Sequence, residues 1–130
     1  MPITNAGRDH LAAAIVGDDE IAPFNNANSS IGVGDNSATA FSAADTDVLG
    51  ANKFRKAMDL AFPTRATNVL TFRSTFGTSD ANFAWNNWGV FNTTELSGGT
   101  MLNRKVESLG TKPNTQTWQF TVSITIASSP

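Results

Sequence analysis

The strictest pattern of apolar and polar positions lies at the end of the chain. In TQTWQFTVSITIA, residues Trp118, Phe120, Val122, Ile124 and Ile126 alternate with Thr117, Gln119, Thr121, Ser123 and Thr125, which predicts a strand with one face buried and one face wet. A slip of one residue would exchange the two faces, so the pairing register of this strand is tightly specified. ATNVLTFRSTFG sets Leu70, Phe72 and Phe76 against Val69, Thr71, Arg73 and Thr75, and stops at Gly77. GGTMLNRKVESLG sets Leu102 and Val106 against Asn103 and Lys105, after a Gly98-Gly99 turn. SSIGVG reads as a short strand ending at Gly34, and KFRKAMDLAF as a strand stopped by Pro63, with Met58 and Leu60 alternating against Ala57 and Asp59.

KFRKAMDLAF is also compatible with a helix, strand being preferred, and the N-terminus has a clear helical period. ITNAGRDHLAAAIVG offers Thr4 or Asn5 as a cap, Leu11 and Ile15 on one face, and Gly17 as a stop. DDEIAPFNNANSS then reads as a loop, and DNSATAFSAADTDVLGAN is too polar and turn-rich to be regular. Strands with one greasy face each must hide those faces against one another. The predicted fold is therefore mainly β: an antiparallel β-sandwich, jelly-roll-like or a small barrel, with one short N-terminal helix closing an open end. It forms one domain over residues 1–130, with the helix within 1–17 and the sandwich over 28–127.

The stretch NFAWNNWGVFN, residues 82–92, concentrates two of the three tryptophans. Phe83 and Trp85 share a face in a regular strand, yet the next large residues, Trp88 and Val90, fall on the other. A bulge or bend at Asn86 and Asn87 restores all four to one side. That reading makes the indoles core. The competing reading makes Trp85 and Trp88 a ligand-stacking platform for sugar rings, with asparagine amides beside it to bond hydroxyls.

Composition narrows the chemistry. Cysteine is absent and histidine occurs once, so disulfides, thiolate nucleophiles and transition-metal sites lack ligands. His10 sits far from any nucleophile on a sharp turn and reads as a solvated or capping residue. The acids Asp18, Asp19, Glu20, Asp35, Asp45 and Asp47 lack calcium-loop spacing, and GVGDNS lacks the lysine and helix of a phosphate loop. No cofactor and no catalytic residues are expected. A net charge of −2 argues against a nucleic-acid partner. No apolar run reaches the roughly 18 residues of a membrane helix, and LAAAIV is too short for a signal-peptide core. The basic group of KFRK with Arg65 and Arg73 reads as a solvated edge or as pairing with acids between subunits. Charged residues make up only 15% of the chain, and polarity comes from Asn, Thr and Ser, which suit surfaces lying against copies of themselves.

ITNAGRDHLAAAIVG, SSIGVGD, FGTSDANFAWNNWGVFN, SGGTMLNRKVESLGTK and TWQFTVSITI together resemble, in order and layout, small virion proteins of tailed bacteriophages. The similarity is to tail-collar and fibre-type proteins and to capsid decoration proteins of the same size and β-rich build. It implies a non-enzymatic accessory protein on the virion exterior, assembled in the bacterial host cytoplasm. Implied partners are further copies of itself, a trimer being usual for such classes, and major capsid or tail proteins. The chain has no repeats, collagen-like tract or heptads, which suits capsid decoration or cement better than a fibre shaft. A tail or collar-fibre component is the alternative, and a carbohydrate-binding module using Trp85 or Trp88 on a host-surface glycan is the reading from another class. Residues 36–50 and the N-terminal segment are expected to contact neighbours.

Overall fold

A computed structural model of the chain describes residues 2–18 and 21–127. It holds helix α1 (Asn5–Ile15) and seven strands, β1 (Ser30–Gly34), β2 (Lys53–Ala57), β3 (Thr64–Ala66), β4 (Val69–Phe76), β5 (Ala84–Phe91), β6 (Met101–Thr111) and β7 (Trp118–Thr125). The strands form two separate sheets rather than a closed barrel, one ordered β2-β1-β5-β6 and the other β3-β4-β7. Every strand pair is antiparallel. The predicted β-sandwich with a short N-terminal helix is the observed architecture.

The two sheets bury Ile31, Val33, Phe72, Phe76, Trp85, Trp88, Val90, Leu102, Val122 and Ile124 between them. Those from β4, β5 and β7 come from the face that the sequence pattern predicted for each strand. β5 keeps Trp85 and Trp88 on that face through a break in its register with β6 between Trp85 and Asn87, where the bulge was expected. β6 departs from its predicted alternation: Met101 through Arg104 are all buried. A second break opposite Val90 and Phe91 leaves Leu102 as the extra residue, so Leu102 enters the core while Met101 joins Val48 and Phe91 in a separate apolar cluster. KFRKAMDLAF is strand only to Ala57; Met58 is buried but Leu60, expected to share its face, is 91% exposed. β3 was not foreseen. It forms a hairpin with β4 across Thr67, which takes a left-handed conformation with φ 55°.

Thr4 is the helix cap: its Oγ1 accepts from the Gly7 amide at 2.9 Å and donates to the Met101 carbonyl. The Thr4 amide bonds the Leu102 carbonyl at 3.1 Å, so the start of α1 is tied to the start of β6. Gly7 is required at the contact, because a Cβ there would collide with the Leu102 carbonyl. The helix therefore buries Gly7 and His10 rather than the predicted Leu11–Ile15 face, and Ile15 is 85% exposed. It lies over the end of the sandwich where β6 and β4 begin and β7 finishes, with Leu11 beside Leu70, Leu102 and Ile124.

Candidate functional site

The two tryptophans nominated for stacking are closed to any ligand. Trp85 is 2% exposed and Trp88 3%. Trp85 meets Phe76 edge-on at 4.6 Å and Trp118 at 5.0 Å, and its Nε1 donates to the Ala81 carbonyl at 2.9 Å. Trp88 meets Phe120 edge-on at 5.2 Å, and its Nε1 donates to Glu107 Oε2 at 3.1 Å. The stacking reading of Trp85 and Trp88 is thereby corrected: the strand is pleated so that both rings fill the sandwich interior. The neighbouring asparagines are also committed. Asn86 donates to the Asp35 carbonyl at 3.0 Å, and Asn87 donates to the Asn36 and Leu49 carbonyls while accepting from the Leu49 amide.

Those bonds belong to a polar layer on the outer face of the four-stranded sheet, which residues 35–52 cover. Gly32, Gly34 and Gly89 bring the sheet surface down to bare backbone, since a side chain at 34 would strike the Leu49 carbonyl and one at 32 the Phe91 ring. GVGD is thus the floor under a covering loop. Arg104, fully buried, spreads its guanidinium across that loop, reaching Asp45 at 3.0 Å, the carbonyls of Thr39 and Ala40, and Asn87 Oδ1 at 3.1 Å. Arg55 lies 3.6 Å over the Phe91 ring and bonds Asp47 and the carbonyls of Glu95 and Gly98. The basic group of KFRK therefore pairs within the chain, Lys53 and Arg55 with Asp47 and Lys56 with Asp80. The Lys56 contact holds the Asp80 carboxyl below its usual range. Sequence reasoning missed Arg104, because nothing in LNRKV distinguishes a buried arginine from a solvated one.

An apolar groove of about 410 Å³ lies between α1, the Pro23–Asn26 loop and the β3–β4 hairpin. Leu11, Phe24, Leu70, Phe72 and Leu102 line it, with His10 on one wall and Arg65 on another. His10 is buried rather than solvated, its ring 4.7 Å from Phe24 in an edge contact. Burial holds its pKa below the usual value of 6.5, since the cation loses hydration there. The native state then binds fewer protons than the unfolded state, so stability is full above pH about 6.5 and falls as pH drops from there toward the depressed native value. Urea titrations at pH 7.5 and 5.5 should show that loss, and His10→Phe should flatten it; an equal slope in the variant would assign the loss elsewhere.

Among the described residues, no three of His, Asp and Glu converge as a metal site would require. Asp35 turns its carboxylate onto the amides of Asn52, which lower its pKa, and Asp45 and Asp47 face arginines; Asp19 and Glu20 lie outside the described residues. Among the described residues, no helix is long and apolar enough to cross a membrane. Comparison with known proteins finds no matching family model, no matching curated protein and no matching solved structure.

Proposed function

We propose that the chain is a non-enzymatic accessory structural protein on the exterior of a tailed phage virion, decorating the capsid. The observation that carries this reading is how the polar groups are used. Arg55, Arg104, Asn87, Asp45 and Asp47 hold residues 35–52 on the four-stranded sheet, while that covering segment turns Ser37, Ala38, Thr39, Ala40, Ser42, Ala44 and Thr46 outward. The result is a small-residue, nearly uncharged surface backed by a fixed network. Such a surface gives modest hydrogen bonds and bridging waters at each contact, and repetition over a symmetric shell multiplies them into firm attachment. The choice of a phage particle rests on the resemblance of the motif layout to small phage virion proteins. A tail or collar position is the alternative within this reading.

The carbohydrate-binding alternative loses its platform with the indoles of Trp85 and Trp88 inside the core. Imaging of purified virions tests the proposal: many copies spread over the shell are expected, a few copies at the tail would select the alternative position, and particles without the protein would overturn the virion assignment.

A further inference from the structure

We infer that β7 is a pairing edge for a second copy of this chain, joined antiparallel about a two-fold axis at Val122. The inference stands on the edge itself and is independent of which assembly the chain enters.

The two sheets have four edge strands, β2, β6, β3 and β7. An edge exposes a row of unpaired amides and carbonyls, and folds normally guard it with charge, brevity or distortion. Three edges here are guarded. β2 carries Lys53, Arg55 and Lys56, β6 carries Arg104, Lys105 and Glu107, and β3 has three residues, one of them Arg65. The N-terminus also covers the start of β6, through the Thr4 and Arg104 backbone bonds and the Ile3–Asn103 bridge. β7 is eight residues long and carries no charge, no proline and no glycine in WQFTVSIT. It runs without interruption in register with β4 from Phe76↔Trp118 to Val69↔Thr125.

The ladder phase states which groups are free. The Ile126 amide bonds the Asn68 carbonyl at 2.9 Å, and the same phase directs the backbone of Trp118, Phe120, Val122 and Ile124 toward β4. The N–H and C=O groups of Gln119, Thr121, Ser123 and Thr125 therefore point away from the sheet, and none has a hydrogen-bond partner among the described residues. A second β7 placed antiparallel with Val122 facing Val122 sets Thr121 against Ser123 of the second copy and Gln119 against Thr125. In that register every outward amide and carbonyl of both strands finds a partner. It places hydroxyl opposite hydroxyl on the wet face, a favourable cross-strand pair, and like charges nowhere. Trp118 and Phe120, only partly covered by their own chain, and Ile126, 51% exposed, border the same edge and supply apolar surface to the contact. Two three-stranded sheets become one of six strands. A contact of this geometry closes on two copies, where the virion resemblance leads to an expected trimer.

Sedimentation equilibrium of the full chain tests it, with the wild type expected at twice the 13.8 kDa chain mass in the micromolar range. The double variant Thr121→Lys with Ser123→Lys should lose the dimer, because each ammonium then opposes another. Thr121→Glu with Ser123→Lys should regain it, since only the register about Val122 sets the carboxylate at 121 opposite the ammonium at 123. Both variants alter wet-face side chains alone, and an unchanged thermal melt of the monomer confirms folding. Hydrogen exchange should show the Thr121 and Ser123 amides slowed at least tenfold in the dimer. A wild type that stays monomeric at about 100 µM, a dimer that survives the lysine pair, or fast exchange of those two amides in a dimer would each overturn the inference.

Discussion

Trp85→Ala is expected to lower folding stability by about 3–5 kcal/mol, the range for removing a large aromatic side chain from a core that cannot collapse around the gap. Collapse is blocked on every side. Phe76, Trp118 and Phe120 surround the ring at centroid distances of 4.6, 5.0 and 6.0 Å, and each is fixed on a strand whose ladder would have to shift to follow. The substitution also strips the Ala81 carbonyl of its indole donor, and Ala81 is itself buried in a left-handed conformation with φ 52°. Trp85→Phe keeps most of the ring contact and loses the donor and part of the volume, so about 1–2 kcal/mol is expected. Urea unfolding monitored by circular dichroism measures both. A loss under about 1 kcal/mol for the alanine variant would mean that the ring is not a keystone between the sheets.

The same residue shows what could be read in advance. The break of phase across Asn86 and Asn87 was visible because four large apolar residues had to share one side, and a bulge is the cheapest backbone change that allows it. β4 and β7 were legible because each has one wet face, which leaves alternation undisturbed. β6 misled for the opposite reason. Its first four residues are covered by the core on one side and by residues 35–52 on the other, and a strand buried on both faces has no alternation to show. The helix misled through Gly7: side-chain size pointed to Leu11 and Ile15, whereas close approach to the Leu102 carbonyl needs a residue with no side chain. His10 followed Gly7 inward, three residues along the same face.

Arg104→Ala is expected to cost about 3–5 kcal/mol, the penalty for removing one partner of a buried charge network. The guanidinium satisfies four acceptors at once, Asp45, Asn87 and the carbonyls of Thr39 and Ala40. Its loss leaves Asp45, largely covered, without its cation. Arg104→Lys restores a charge but only a point donor, which cannot serve the planar fork of acceptors, so most of the loss should persist. The damage should be local before it is global: residues 36–49 should exchange their amides and be cut by protease far faster, while β4 and β7 keep their protection. Protection of 36–49 that survives in the alanine variant would show that Asn87 and the glycine floor hold the segment unaided. A deletion of residues 36–50 would remove more than an exposed contact surface. Such a deletion strips Arg104 and Asn87 of most of their partners, so on the proposed virion role a loss of particle binding would report a damaged fold as readily as a missing contact. Substitutions confined to the outward row, such as Ala38→Glu with Ala44→Glu, leave that network intact and report docking alone.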